Sequence, residues 1–581
     1  MLSIGIPNEI YLLGSPVFGF IALVPLYLVF VNSRSYKDAF VFMSLHAGAV
    51  HLMSSYWLAY FKDFAALTLG ASALGTAAIG GICGLFFYIP FGRFGGPGSK
   101  PFFSGNKIYS PSFRIFWFAL CYIVYEWVKS SGFFAYPWGT LYQTTYHFKI
   151  FTQIADITGA YGISFLMACF SALLGEFFLL YFSRQTEETK FFSIFSSSCA
   201  ALTIGAFFLV SFIYGIYQYT KYRQPEKIVN TIMVQQNADP WTLSSDDGTI
   251  LASERLTEEK LAEAKSKGID VDLIVWSEGC LKYRFPRAKT HYQYYPNENP
   301  LIPFIKKTGI PFLLGGSYAP EYSSKHFNGA LLFDPEGNFR GAYPKNHLVP
   351  LAEAVPFSDI KVVAEFFKKA IGISAGWSAG DKYTMFRIPC SYPDEKLPEI
   401  SRIVSLEESY QDSTEEKKPT VTFSTPICYD DAFPNVCRPL EKYGSDFFMN
   451  ITDDSWSKKE SAEYQHFAIA YFRSIEQRTT LARSTNAGYS VVINPAGKIV
   501  MEMPLFKEHA EFVQIPVYKK QTTLYQKAGN WLPSLSALAI LISMFKAYIE
   551  KDKSLVVKSE RKKFRNHRKS KKSDKINSKG K

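Results

Sequence analysis

The sequence predicts two kinds of fold in one chain: an α-helical transmembrane bundle and an α/β domain of alternating strands and helices. Three observations carry this. Of the 581 residues 48% are hydrophobic and 17% aromatic, more than one soluble core would use. Long uncharged runs crowd the first 220 residues, whereas short β-branched runs separated by polar segments fill 221–526. The formal charge of +12 lies almost wholly in one place: residues 551–581 hold 14 Lys or Arg against 3 Asp or Glu, leaving the rest nearly neutral. That tail is poor in apolar residues, so it is expected to be disordered, and without a folded motif beside it the charge makes a weak nucleic-acid signal.

A helix needs about 20 mostly apolar residues to cross a bilayer. Ile10–Val31, Ala39–Phe61, Phe64–Gly92 and Phe191–Tyr219 qualify, as do Pro111–Lys129 and Ile157–Phe182, which hold the acids Glu126 and Glu176. A seventh candidate, Ala528–Phe545, stands near the C-terminus. The division expected is a bundle of about six spans over 1–220, an extracytoplasmic α/β domain over 221–526, a last helix over 527–549 and a cytoplasmic basic tail over 550–581. Orientation follows from the basic residues: Arg34 and Lys37, then Arg93, Lys100, Lys107 and Arg114, then Arg184 and Lys190 lie in alternate loops, which are expected to face the cytoplasm on the same side as the tail. The aromatic, Pro/Gly-broken stretch 132–146 (GFFAYPWGTLYQTTY) reads as an amphipathic surface loop at headgroup level.

Within 221–526 the runs IVNTIMV, VDLIVWS, IPFLLGGS, GALLFD, PTVTFST, SDFFMNI, YSVVIN and EFVQIPV predict strands. Helical patterns cover 257–268 and 463–484. DPEGN at 334–338 and NPAGK at 494–498 predict hairpin turns, so the sheet is not purely parallel. The eight cysteines form no CxxC pair and no framework, which points away from zinc and disulfides. Four of them lie in apolar runs and read as small buried hydrophobes.

Three residues stand at strand ends, where α/β folds gather their sites: Glu278 after LIVWS, Lys345 after FRGAYP and Cys428 after TFSTPI. Singly, each has a bland alternative: a helix N-terminal acid, a solvated lysine, a packed thiol. Together they make a chemical unit. A thiol is mostly protonated at neutral pH, so a nearby carboxylate is needed as general base. A buried lysine stabilises the oxyanion formed when sulfur attacks a carbonyl, and the Tyr429 N–H is a second donor.

The stretches WSEG (276–279), YPKNHLVPLAEAVP (343–356) and PICYDDAFP (426–434) resemble the nitrilase superfamily. Their placement between a membrane bundle and a last span resembles the apolipoprotein N-acyltransferase family in particular. The likeness extends to GFFAYPWGTLYQ, DITGAYGISFL, FNGALLFDPEGNFRGAYPKNHLVP and the long stretch NITDDSW to NPAGKI. It implies a nitrilase-like α-β-β-α sandwich, with Glu278 as base, Lys345 as oxyanion stabiliser and Cys428 as nucleophile. It further implies Glu353 as an acid at the site and Tyr429 as the aromatic after the nucleophile. Asp430 stands where the best-known relatives have Glu, and Trp241 matches a loop tryptophan.

The function implied is transfer of an acyl chain from a membrane phospholipid, through a Cys428 thioester, to the amine of a diacylglyceryl-apolipoprotein at a bacterial inner membrane. No cofactor or metal is implied. The family usually has eight spans where seven are counted here. The nearest alternative is a membrane-tethered amidase or nitrilase with the same triad. A ligand-binding receptor with a structural thiol, and a cysteine protease using His347 or His466, are the further rivals.

Overall fold

The computed structural model describes residues 1–33, 35–60, 66–89, 110–182, 187–239, 245–355, 357, 360–371, 376–392 and 419–545. The strands are β1 (Lys227–Gln235), β2 (Leu273–Trp276), β3 (Leu281–Phe285), β4 (Phe312–Tyr318), β5 (Phe327–Phe333), β6 (Phe339–Pro344), β7 (Met385–Pro389), β8 (Thr420–Ser424), β9 (Phe447–Thr452), β10 (Thr480–Thr485), β11 (Val491–Ile493), β12 (Ile499–Glu502) and β13 (His509–Val517). They make two sheets, ordered β13-β1-β2-β4-β5-β6 with β3 beside β4, and β12-β11-β10-β9-β8-β7. All eight expected strands are present. Both sheets are mixed: β1-β2-β4 and β8-β9-β10 run parallel, while the outer pairs are antiparallel. The two expected hairpin turns close with Asp334 N–H on Asn338 O and Asn494 N–H on Lys498 O, with Gly337 and Gly497 at positive φ.

Strand alternation explains the layers, because successive side chains point to opposite faces. On β1, Val229 and Met233 join the core between the sheets with Leu273, Val275 and Met449. Ile232 and Val234 face the other way, joining Ile274, Trp276 and Ile250 beneath the Asp247–Ser266 and Leu301–Thr308 helices. The second sheet is covered by the Pro434–Lys442 and Glu460–Gln477 helices. The result is the α-β-β-α sandwich that the resemblance implied.

Among the described residues three helices are long and apolar enough to cross a membrane: Thr68–Phe87, Ala160–Phe182 and Ser193–Lys221. Pro16–Asn32 and Trp531–Phe545 are shorter apolar helices. The expected single helix over Ile10–Val31 is instead divided, into Pro16–Ile21 and Val24–Asn32. Gly14 turns the chain at φ 68° just ahead of them, and Pro25 lies at the start of the second piece, where a missing N–H costs nothing. The Tyr36–Ser54 and Ser72–Phe87 helices approach closely: a Cβ on Gly80 or Gly84 would strike Ala47 and the backbone of Met43 and Ala39. Glu176 is matched by Arg114, which donates two bonds at 2.8 and 2.7 Å, and by the Tyr27 hydroxyl.

The 132–146 stretch departs from its expected place at the surface. Only its leading edge, Gly132 to Phe134, is exposed, and Ala135, Trp138 and Thr140–Tyr146 are buried. Its polar backbone is satisfied internally, which permits the burial: Lys129 Nζ donates to Trp138 O at 2.7 Å, Gln143 Nε2 to Pro137 O at 2.9 Å, and Leu141 N–H to Glu126 Oε1 at 2.5 Å. The helix expected over 463–484 is also corrected. It spans Glu460–Gln477, stops at Arg478 in the left-handed region, and gives way to β10, whose TLARST run includes three β-branched or hydroxyl residues suited to a strand.

Bundle and sandwich share one continuous apolar core. Polar ties fix their relation: Trp57 Nε1 donates to Gln465 Oε1 at 3.0 Å, Gln465 Nε2 donates to Pro7 O and Ser54 O, and Arg478 pairs with Asp156 at 2.7 Å.

Candidate active site

The site forms where β2, β6 and β8 end. Glu278 lies two residues beyond β2, Lys345 directly follows β6, and Cys428 opens a short 3-10 turn, Cys428–Ala432, beyond β8. Cys428 has φ 46°, a left-handed conformation that non-glycine residues rarely adopt and that functional turns tend to hold. All three are buried.

Lys345 is the hub. Its Nζ lies 3.2 Å from Glu278 Oε1 and 2.8 Å from Glu353 Oε1. Asn328, from the start of β5, donates to Glu278 Oε1 at 2.6 Å and Glu353 Oε1 at 3.1 Å, bridging the carboxylates. Backbone donors complete them: Asp453 N–H on Glu278 Oε2 and Val349 N–H on Glu353 Oε2, each at 2.8 Å. Gly315 sits under Glu278, where a Cβ would strike the Glu278 backbone.

Burial lifts the Glu278 pKa; Lys345 opposes that shift and Glu353 adds to it. Burial alone disfavours the Lys345 charge, but Cys428, Glu278 and Glu353 push its pKa well above the ordinary lysine value. The Cys428 thiol is held well above its usual range by burial and by Glu278, and Lys345 lowers it only in part. Burial and the nearby carboxylates outweigh the lysine, so the resting sulfur carries its proton, and Glu278 is the largest charged influence on it.

Asp430 is buried beside Cys428 as a backbone clamp. Its Oδ1 accepts from His347 N–H at 2.6 Å, and its Oδ2 from the Tyr343 hydroxyl at 2.9 Å and Ile427 N–H at 3.1 Å. It thereby ties the cysteine turn to the segment following Lys345. The Tyr429 hydroxyl donates to Ala135 O at 2.6 Å and its ring stacks on Trp138, at 5.6 Å between centroids, so the 132–146 loop grips the same turn. Trp241 lies outside the described residues.

Sequence reasoning missed a second network behind the sulfur. His466 is held by Asp454 at Nδ1, 2.8 Å, and by Asp431 at Nε2, 3.0 Å, and Arg483 bonds Asp431 as well. Both carboxylates outweigh the cost of burial and raise the His466 pKa to about 9. One donor atom each of Cys428, Asp454 and His466 lie within 4.8 Å of one another. Such atoms can hold a metal, but both imidazole nitrogens are committed to carboxylates, so the cluster orders charge instead. It also leaves His466 no free nitrogen for a cysteine-protease mechanism. His347 stacks on Phe433 at 3.8 Å, and burial lowers its pKa to about 4. The signal for this network was the acid pair of NITDDSW at the carboxyl end of β9.

Two packed sheets with a cysteine turn, a lysine and two carboxylates at the strand ends define the class: a carbon–nitrogen hydrolase fold. The profile described as "Carbon-nitrogen hydrolase" matches residues 233–521. A second profile, "Apolipoprotein N-acyltransferase N-terminal domain", matches residues 2–173. The chain is 38% identical to "Apolipoprotein N-acyltransferase 2" of Treponema denticola over 94% of its length and 95% of that protein. It is 29% identical to "Apolipoprotein N-acyltransferase" of Borreliella burgdorferi over 96% of both. The chain belongs to the apolipoprotein N-acyltransferase family, and it is an enzyme. Among solved structures, a carbon–nitrogen hydrolase from Helicobacter pylori aligns with 50% of the chain and 90% of its own, at 15% identity and TM-score 0.33.

Proposed function

We propose that this enzyme moves an acyl chain from a membrane phospholipid to the free α-amine of a diacylglyceryl-cysteine at a lipoprotein N-terminus, through a thioester on Cys428. Sulfur attacks the ester carbonyl while its proton passes to Glu278. The new S–C bond leaves an oxyanion, which the Lys345 ammonium and the Tyr429 N–H stabilise. The C–O bond then breaks, and the departing lysophospholipid oxygen takes the proton back from Glu278. In the second half, the amine attacks the thioester and gives a proton to Glu278. The C–S bond breaks, an amide forms, and the thiolate recovers its proton.

Glu353 and Asn328 position the lysine and the base; Asp430 sets the turn. Water must be excluded while the thioester waits, and a buried sulfur suits that need. Both substrates carry chains anchored in lipid, and drawing them out costs roughly 0.8 kcal/mol for each CH₂. We place the enzyme in a bacterial inner membrane as a multi-pass protein, with 221–526 on the outer side as its basic loops suggest, and with no cofactor. Likeness to N-acyltransferases along nearly the whole chain disfavours the amidase alternative.

The observation that carries the reading is the buried Lys345–Glu278–Glu353 cluster beside a left-handed cysteine. Mass spectrometry of the purified protein given phospholipid alone is expected to show an acyl adduct on Cys428, discharged by a diacylglyceryl peptide. Acyl loss to water at the same rate without the peptide would overturn it.

A further inference from the structure

A second cavity, of ≈ 340 Å³, opens on the other side of the helix that carries His466. Tyr464, Phe467 and Tyr471 recur at i, i+3 and i+7 of the Glu460–Gln477 helix and so share one face, opposite His466. They wall the cavity together with Tyr146 and Tyr489. The rings form a contiguous series: Tyr464 to Tyr489 is 4.8 Å between centroids, Phe467 to Tyr489 5.0 Å, Tyr146 to Phe467 6.0 Å and Tyr146 to Tyr471 6.3 Å. His147 and two charges of opposite sign also line it. Glu502 accepts from the Tyr489 hydroxyl, and Lys149 lies at the same cavity. Tyr146, 2% exposed, lines it with a hydroxyl that finds no partner among the described residues.

An aromatic cage beside a carboxylate is the chemistry that holds a quaternary ammonium, which has no N–H to donate and is bound through ring faces and charge. A lysine at the same cavity suits a neighbouring phosphate. Apolar side chains and the end of an apolar helix surround it. Leu13 lines the cavity, Ile499 and Val500 are exposed beside it, and Lys498 Nζ lies 4.5 Å from the ring of Tyr219 near the end of the Ser193–Lys221 span.

We propose that this cavity is a phospholipid site, separate from the thiol, that holds a phosphocholine headgroup. The cage and Glu502 take the ammonium and Lys149 the phosphate, while the acyl chains lie along the exposed apolar residues at its rim. The site does not depend on the transfer reaction, so it can be tested with lipid that cannot react.

Dialkyl ether lipids lack the ester carbonyl that Cys428 attacks. The full-length protein in detergent is offered dialkyl phosphocholine or dialkyl phosphoglycerol lipid of the same chains, and retained lipid is counted by native mass spectrometry. Phosphocholine lipid is expected to be retained about tenfold better. Tyr464→Leu and Glu502→Gln are expected to abolish the preference, whereas Tyr464→Phe, which keeps the ring, preserves it. Unchanged thioester formation with ester lipid shows that the Tyr464→Leu protein is folded. Equal retention of both lipids, a preference untouched by Tyr464→Leu, or occupancy by free phosphocholine with no lipid retained would overturn the proposal.

Discussion

At the scale of single residues, the protonated resting state of Cys428 dictates what the base must do. In its proposed role as base Glu278 works only when ionised, and burial raises its pKa. Thioester formation is therefore expected to fall as pH drops through a value above the usual 4.5 of a glutamate. Glu278→Gln is expected to lose roughly 10²- to 10⁴-fold in that step and to erase the acid limb of the pH profile. Single-turnover formation of the Cys428 adduct, followed across pH, measures both. A Glu278→Gln enzyme that keeps the acid limb would assign the base elsewhere.

His466 gives a second residue-scale test, and its sign is opposite. Its pKa in the fold is about 9 against an ordinary 6.5, so the folded state holds the proton more tightly than the unfolded chain. The stabilisation is complete below about 6.5 and disappears as pH rises through about 9. It is worth on the order of 3 kcal/mol. Thermal unfolding of the wild type is expected to lose Tm across that window, and His466→Gln is expected to flatten the curve. Equal alkaline slopes would show that the imidazole is uncharged between its two carboxylates.

At the scale of elements, the strand ends bear the chemistry and the strands beneath them set its position. Gly315 on β4 leaves room for the Glu278 backbone. Gly315→Ala is expected to push Glu278 off Lys345, cutting adduct formation more than tenfold and costing about 1–3 kcal/mol of stability. The same substitution with unchanged adduct kinetics would mean that the base tolerates displacement. Most of this level was legible beforehand. The eight β-branched runs, both hairpin turns and the three strand-end residues announce themselves by local chemistry. What escaped depends on distance in space. Asn328 opens an ordinary strand and becomes a bridge only because β5 lies beside β4 and β6. The Asp431–His466–Asp454 cluster joins three segments whose acids and histidine read singly as surface or core. The break at Arg478 was hidden because alternation and helical period look alike over so short an apolar run.

At the scale of the whole molecule, bundle and sandwich behave as one body. The Glu460–Gln477 helix is buried along nearly its whole length: Gln465 bonds the N-terminal segment, and Tyr464, Phe467 and Tyr471 line a cavity shared with Leu13 and Tyr146. Residues 221–526 produced alone are expected to aggregate, as size-exclusion chromatography would show. A monodisperse, cooperatively unfolding fragment would refute this. Within the full chain, Arg478→Ala strips Asp156 of its buried partner and is expected to cost about 3–5 kcal/mol, read as a lowered Tm in detergent.

The buried, protonated sulfur has one more consequence, for survival instead of turnover. Thiolates attack peroxides and disulfides, and a cysteine kept in its neutral form reacts with them hardly at all. The sulfur is thus spared by its surroundings while it rests, its reactivity called up only when its proton is taken.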